Sequence, residues 1–69
     1  MTNGIGRFIR EARRQKGLSQ AELAKRIGLT QSGISMIERG LIVPRLPTLL
    51  RIFRELELSV DLLKEDPNA

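Results

Sequence analysis

The sequence predicts an all-α fold, a compact bundle of four to five short helices, with a C-terminal segment that reads as a strand in preference to a fifth helix. Three observations carry this reading. Apolar residues recur at helical spacing in four successive stretches of the 69-residue chain. Glycine or proline marks the borders of those stretches, and residues suited to cap a helix stand before the second and third.

The first helix is read from Ile5, Phe8, Ile9 and Ala12, spaced i, i+3, i+4, i+7 on one face, with Gly17 as its stop. Arg7, Arg10, Arg13, Arg14 and Lys16 cover much of the rest of it. Ser19 opens S-x-x-E with Glu22, a capping box, and Leu23, Ala24 and Ile27 supply the second apolar face up to Gly28. Thr30 can cap a third helix from Gln31 to about Arg39, stopped by Gly40. After a loop, Leu46, Leu49, Leu50, Phe53 and Leu56 form a fourth stripe, widened by Ile52. Pro47 lies in its first turn, where a missing N–H costs nothing. At the end, Leu56, Leu58, Val60 and Leu62 alternate with Glu57, Ser59 and Asp61. That is a strand period, with a short fifth helix capped by Ser59 as the competing assignment. Residues 66–69 read as a frayed tail.

Sixty-nine residues make one small domain, spanning 1–69, near the size where a single core only just suffices. No apolar run approaches membrane-spanning length and no signal peptide is evident, so a soluble intracellular protein is expected. The chain has no cysteine, histidine, tyrosine or tryptophan. A thiolate metal site and the usual general base are therefore missing, and the carboxylates sit singly on helix faces or in the tail. Neither an enzyme nor a cofactor or metal is expected. Charge is uneven: residues 1–54 hold eleven of the twelve Lys/Arg but three of the eight Asp/Glu, and residues 55–69 hold the other one and five. A basic body with a short acidic end suggests a polyanionic partner for the body.

The second and third helices meet across a short turn with a glycine, which describes a helix-turn-helix over residues 20–39. Ala24 is small enough for the next helix to cross closely over it. Gly28 can take the positive φ of a tight turn, and Leu23, Ile34 and Ile37 are the candidate buried contacts. The stretch SQAELAKRIGLTQSGISMIERG resembles the Cro/repressor (XRE-type) helix-turn-helix family of bacterial and phage regulators. With the flanking helices the resemblance extends from about Ile5 to Leu63, and implies a lambda-repressor-like DNA-binding domain.

In such a motif the second helix enters the major groove and its N-terminal residues face the base edges. Gln31 suits a bidentate contact to adenine, Ser32 and Ser35 can serve several edges, and Met36 could touch a thymine methyl. Gly33 would allow close approach. The family places a phosphate-clamping glutamine at the start of the first motif helix, here Gln20. Thr30, Arg39 and Arg45 are further phosphate candidates, with Arg10 and Arg7 as outer ones. The family pattern also pairs an arginine of the first helix with the glutamate ending the recognition helix, which implies a structural Arg13–Glu38 ion pair.

Two segments depart from the family's common pattern. Leu41-Ile42-Val43-Pro44 stands where a basic loop is usual. Three apolar residues are costly to expose, so they are expected to pack on the fourth helix or on a second chain. The tail LELSVDL, with RLPTLLRIFRELELS before it, resembles the HipB-type antitoxin subgroup. There the C-terminal segment, about 56–63 here, is a strand pairing with its twin, so Leu58, Val60 and Leu62 are the dimerisation candidates. The implied function is a homodimeric repressor of an operator with two-fold symmetry, cytoplasmic and nucleoid-associated in a bacterium. The subgroup adds a HipA-type kinase toxin as partner. A stand-alone regulator is the alternative, and a protein-binding module that has lost DNA binding is a remoter one.

Overall fold

The computed structural model describes residues 4–58, and among them it contains four α-helices and no strand. These are α1 (Gly4–Gln15), α2 (Gln20–Ile27), α3 (Gln31–Glu38) and α4 (Leu46–Glu55). None is long and apolar enough to cross a membrane.

The caps form as their residues predict. Ser19 Oγ accepts the Glu22 N–H and the Glu22 carboxylate accepts the Ser19 N–H, closing the capping box of α2. Thr30 Oγ1 accepts the Gly33 N–H at 3.0 Å and starts α3. All four helices end alike. A residue at positive φ (Gly17, Gly28, Gly40 or Glu57) reverses the chain, and the next amide bonds the carbonyl five residues back. The leucine that follows then returns to the protein: Leu18, Leu29 and Leu58 are half-buried against the core. Only Leu41 stays out.

One core is shared by the four helices. Ile9 of α1, Leu23 of α2, Ile34 of α3, Ile52 and Phe53 of α4, and Leu56 just beyond it are fully buried. Burying each such side chain contributes roughly 1.5–3 kcal/mol. α3 packs against both α2 and α1, and α4 against α2. The approach of α1 to α3 is close because Gly6 has no side chain. A Cβ there would lie 2.3 Å from the Ile37 carbonyl oxygen and 2.9 Å from that of Glu38.

Two sequence expectations change, and the expected end of α3 at about Arg39 holds to within one residue. The buried face of α4 keeps Phe53, Leu56, the widening residue Ile52 and, in part, Leu49, but two members of the predicted stripe turn outward: Leu46 and Leu50 are 60% and 40% exposed. The loop does not pack on α4 either, since Leu41, Ile42 and Val43 are 60%, 43% and 71% exposed. α3 stops at Glu38, with Arg39 as its C-cap. The strand expected from Leu58, Val60 and Leu62 lies outside the described residues except for Leu58. That residue's amide bonds Phe53 and its side chain lies on the chain's own core. The tail 66–69 is likewise outside.

Candidate nucleic-acid interface

A three-residue turn, Gly28-Leu29-Thr30, joins α2 to α3. Gly28 supplies its positive φ of 76°, and the Leu29 amide bonds the Ala24 carbonyl at 2.8 Å. Ile34 and Ile37 then hold α3 face-down on the core. The opposite face is left to Gln31, Ser32, Ser35 and Met36, which with Gln20 and Arg39 line an open groove of about 380 Å³. Six of the candidates named from the sequence therefore share one concave surface, brought there from both helices of the motif.

The others lie around it. Thr30 is occupied as the α3 cap. Arg45 is the exposed N-cap of α4 and makes no side-chain cap bond. Arg7 is exposed on α1, and Arg10 is half-buried, with its Nε enclosed and unpaired among the described residues. None of these four lines the groove. Gly33 has a reason of its own within the helix. A methyl there would sit 3.3 Å from Thr30 Oγ1, crowding the cap hydroxyl.

Behind the groove lies a buried ionic network. Arg13 Nε and Nη2 donate to the two Glu38 carboxylate oxygens at 2.6 and 3.0 Å, a bidentate pair, and Arg13 Nη1 donates to the Leu18 carbonyl at 2.7 Å. Gln20 Nε2 donates to Glu38 Oε1 at 3.0 Å. Burial would raise the Glu38 carboxyl, but hydrogen bonds from Arg13 and Gln20 and the charges of Arg13 and Arg10 outweigh it. The carboxyl is held below the ordinary range of a glutamate. Arg13 is in turn raised, chiefly by its hydrogen bond to Glu38.

Two features escaped the sequence. Nothing local marks Gly6 as the contact point of α1 with α3. Gln20 was expected to clamp a phosphate, and the sequence did not show that one of its amide N–H groups is held by Glu38, leaving the second N–H and the carbonyl for anything outside. Both features depend on residues 18 or more positions apart in the chain. Chemically the groove offers neutral donors and acceptors (two amides and two hydroxyls) beside a thioether and an arginine. That set complements the mixed hydrogen-bond edges and methyl groups of a major groove. Among the described residues there is no cluster of three His, Cys, Asp or Glu able to hold a metal ion.

Comparison with known proteins agrees with this geometry. Residues 9–63 match the Helix-turn-helix family. The chain is 46% identical over 59 residues to the uncharacterised HTH-type transcriptional regulator y4dL of Sinorhizobium fredii, covering 86% of this chain but only 30% of that protein. It is 44% identical over 58 residues to antitoxin HipB of Escherichia coli K12, covering 84% and 66% of the two chains. Among solved structures, the biofilm master regulator SinR in complex with DNA superposes with a TM-score of 0.79 at 37% identity, covering 88% and 98%. The P22 c2 repressor with a synthetic operator gives 0.81 at 34%, covering 90% and 94%. HipB in a HipA–HipB–O2–O3 complex gives 0.67 at 38%, covering 80% and 78%.

Proposed function

The chain belongs to the Cro/repressor-type helix-turn-helix family, and on that footing we propose that it is a sequence-specific DNA-binding repressor acting as a homodimer on an operator of two-fold symmetry. The observation that carries the reading is the α3 groove, where Gln31, Ser32, Ser35 and Met36 stand together with Gln20 and Arg39 at its margin. Gln31 and the two serines read base edges, with Met36 against a thymine methyl. Gln20, Thr30, Arg39, Arg45 and Arg10 hold phosphates around them, and the Arg13–Glu38 pair keeps α3 in register. Two copies set α3 into successive major grooves, about 34 Å apart. The work is done on the nucleoid, in the bacterial cytoplasm.

Within that reading the chain is a HipB-like antitoxin that represses its own operon and binds a HipA-type kinase toxin. The similarity to HipB and the HipA–HipB–O2–O3 structure support this. The likeness to SinR and to y4dL favours the other possibility, a regulator without a toxin. Co-purification of a larger kinase-like protein with the tagged chain separates the two.

Selection of binding sites from random duplex DNA tests the main reading. A palindromic consensus is expected. Gln31→Ala should then weaken binding by about 1–3 kcal/mol and relax the preference at one base pair. Absence of any duplex binding at low salt, where phosphate contacts are strongest, would end it.

A further inference from the structure

A second concave surface lies at the other end of α2 from Gln20. It is an open groove of about 460 Å³ between the C-terminal turn of α2 and one face of α4. Lys25, Arg26, Arg51 and Arg54 wall it, over a floor made by Ile27 and the Gly28 backbone. Arg51 and Arg54 stand three residues apart on α4 and so project from the same face. Arg26 is bridged to Glu55 at 3.0 Å. Lys25, Arg51 and Arg54 have no ion-pair partner among the described residues.

Four exposed cations meet one carboxylate in this groove. Like charges on neighbouring turns repel, and a concave surface concentrates their field. The position also matters. α2 is eight residues long, so roughly 12 Å separates this groove from the α2 N-terminus that borders the α3 groove.

We infer that this groove docks an acidic polypeptide segment, whose carboxylates engage Arg51, Arg54 and Lys25 while its backbone lies along the Ile27–Gly28 floor. Guanidinium groups match planar carboxylates two bonds at a time, and the aliphatic stems of the four cations give a peptide apolar surface to lie on. A nucleic-acid backbone fits less well, because its sugars and phosphates gain nothing from apolar contact with Ile27 and the cation stems. The inference stands independently of the DNA reading, since it uses none of the α3 residues.

The full 69-residue chain is titrated with a blocked Glu-Glu-Leu-Glu-Glu peptide while backbone amide resonances are followed by NMR. Saturable shifts centred on Ile27, Gly28, Arg51 and Arg54, with Gln31 to Ser35 unmoved, are the expected result. Arg51→Gln combined with Arg54→Gln should weaken the peptide by about tenfold or more, with the circular dichroism spectrum unchanged because both residues are exposed. Three results would overturn the inference. One is no saturable shift at about 0.01 M salt. Another is equally tight binding of inorganic tripolyphosphate, which would mark the groove as a simple anion trap. The third is movement of the same resonances in an Asp61→Asn, Glu65→Gln, Asp66→Asn chain without peptide, which would assign the groove to the protein's own acidic end.

Discussion

Gly6 shows how a single missing atom can set the geometry of a whole motif. The backbones of α1 and α3 meet there so closely that a methyl group would overlap the carbonyl oxygen of Ile37. Backbone cannot step aside as a flexible side chain can, so Gly6→Ala should cost about 2–3 kcal/mol, read as a lower urea midpoint. Glu38, the residue after Ile37 and part of the same close approach, carries its acid sensitivity. Its carboxyl is held below the ordinary range when folded. Its contribution is therefore complete above the pKa of the unfolded chain and is lost as pH falls through the folded value. Urea unfolding from about pH 7 down to about pH 3 should show a steep loss in the parent chain. In Glu38→Gln the loss should be shallower, from a starting stability lower by about 3–5 kcal/mol, because Arg13 is left buried without its partner. The slope will not vanish. Glu22, lowered chiefly by the Ser19 N–H it accepts, titrates in the same direction.

Each helix ends with a left-handed residue and, after it, a leucine, and three of these ends follow the chemistry that the residues prefer. α4 does not: Glu57 adopts a φ of 57° where the other helices have glycine. A side chain in that region costs of order 1 kcal/mol. Glu57 is also paired with Lys16, but the pair is exposed and worth at most a few tenths. Glu57→Gly should therefore stabilise the domain by about 0.5–1 kcal/mol, visible as a rise in Tm. A fall instead would mean that the Lys16 bridge outweighs the backbone strain. The same end geometry explains why Leu58, placed on a strand by its alternation with Glu57 and Ser59, turns back onto the core. A reversed helix end uses the first apolar residue after it as a latch.

Among the described residues three kinds of surface stand out: the largely uncharged α3 groove, the cationic groove across α2 and α4, and the exposed apolar side chains of Leu41, Ile42, Val43, Leu46 and Leu50. Exposed apolar side chains in this number call for a cover, and the two-fold operator proposed above would give a second copy a reason to provide it. Val43→Asp with Leu46→Glu should leave the unfolding midpoint within about 0.5 kcal/mol of the parent, since neither side chain serves the core. It should also shift sedimentation to the monomer. Dimers that persist unchanged would assign the contact to the segment holding Val60 and Leu62 instead.

Helix positions, caps and the shared face of the candidate residues on α3 were legible in the chain because each rests on neighbours within four or five positions. Ser19 meets Glu22, Thr30 meets Gly33, and Gln31, Ser32 and Ser35 share a face by helical period alone. Arg13 and Glu38 were legible only through the family's pattern. What remained hidden involves partners far apart in sequence. An amphipathic stripe with six candidate residues can turn either of two faces inward, and packing against α2 and the shared core chose Ile52 over Leu46 and Leu50. Gly6, the hold of Glu38 on Gln20, and the meeting of Lys25 and Arg26 with Arg51 and Arg54 have no local signature. Short-range periodicity specifies the elements, whereas close approach and charge crowding arise only when separate elements are packed together.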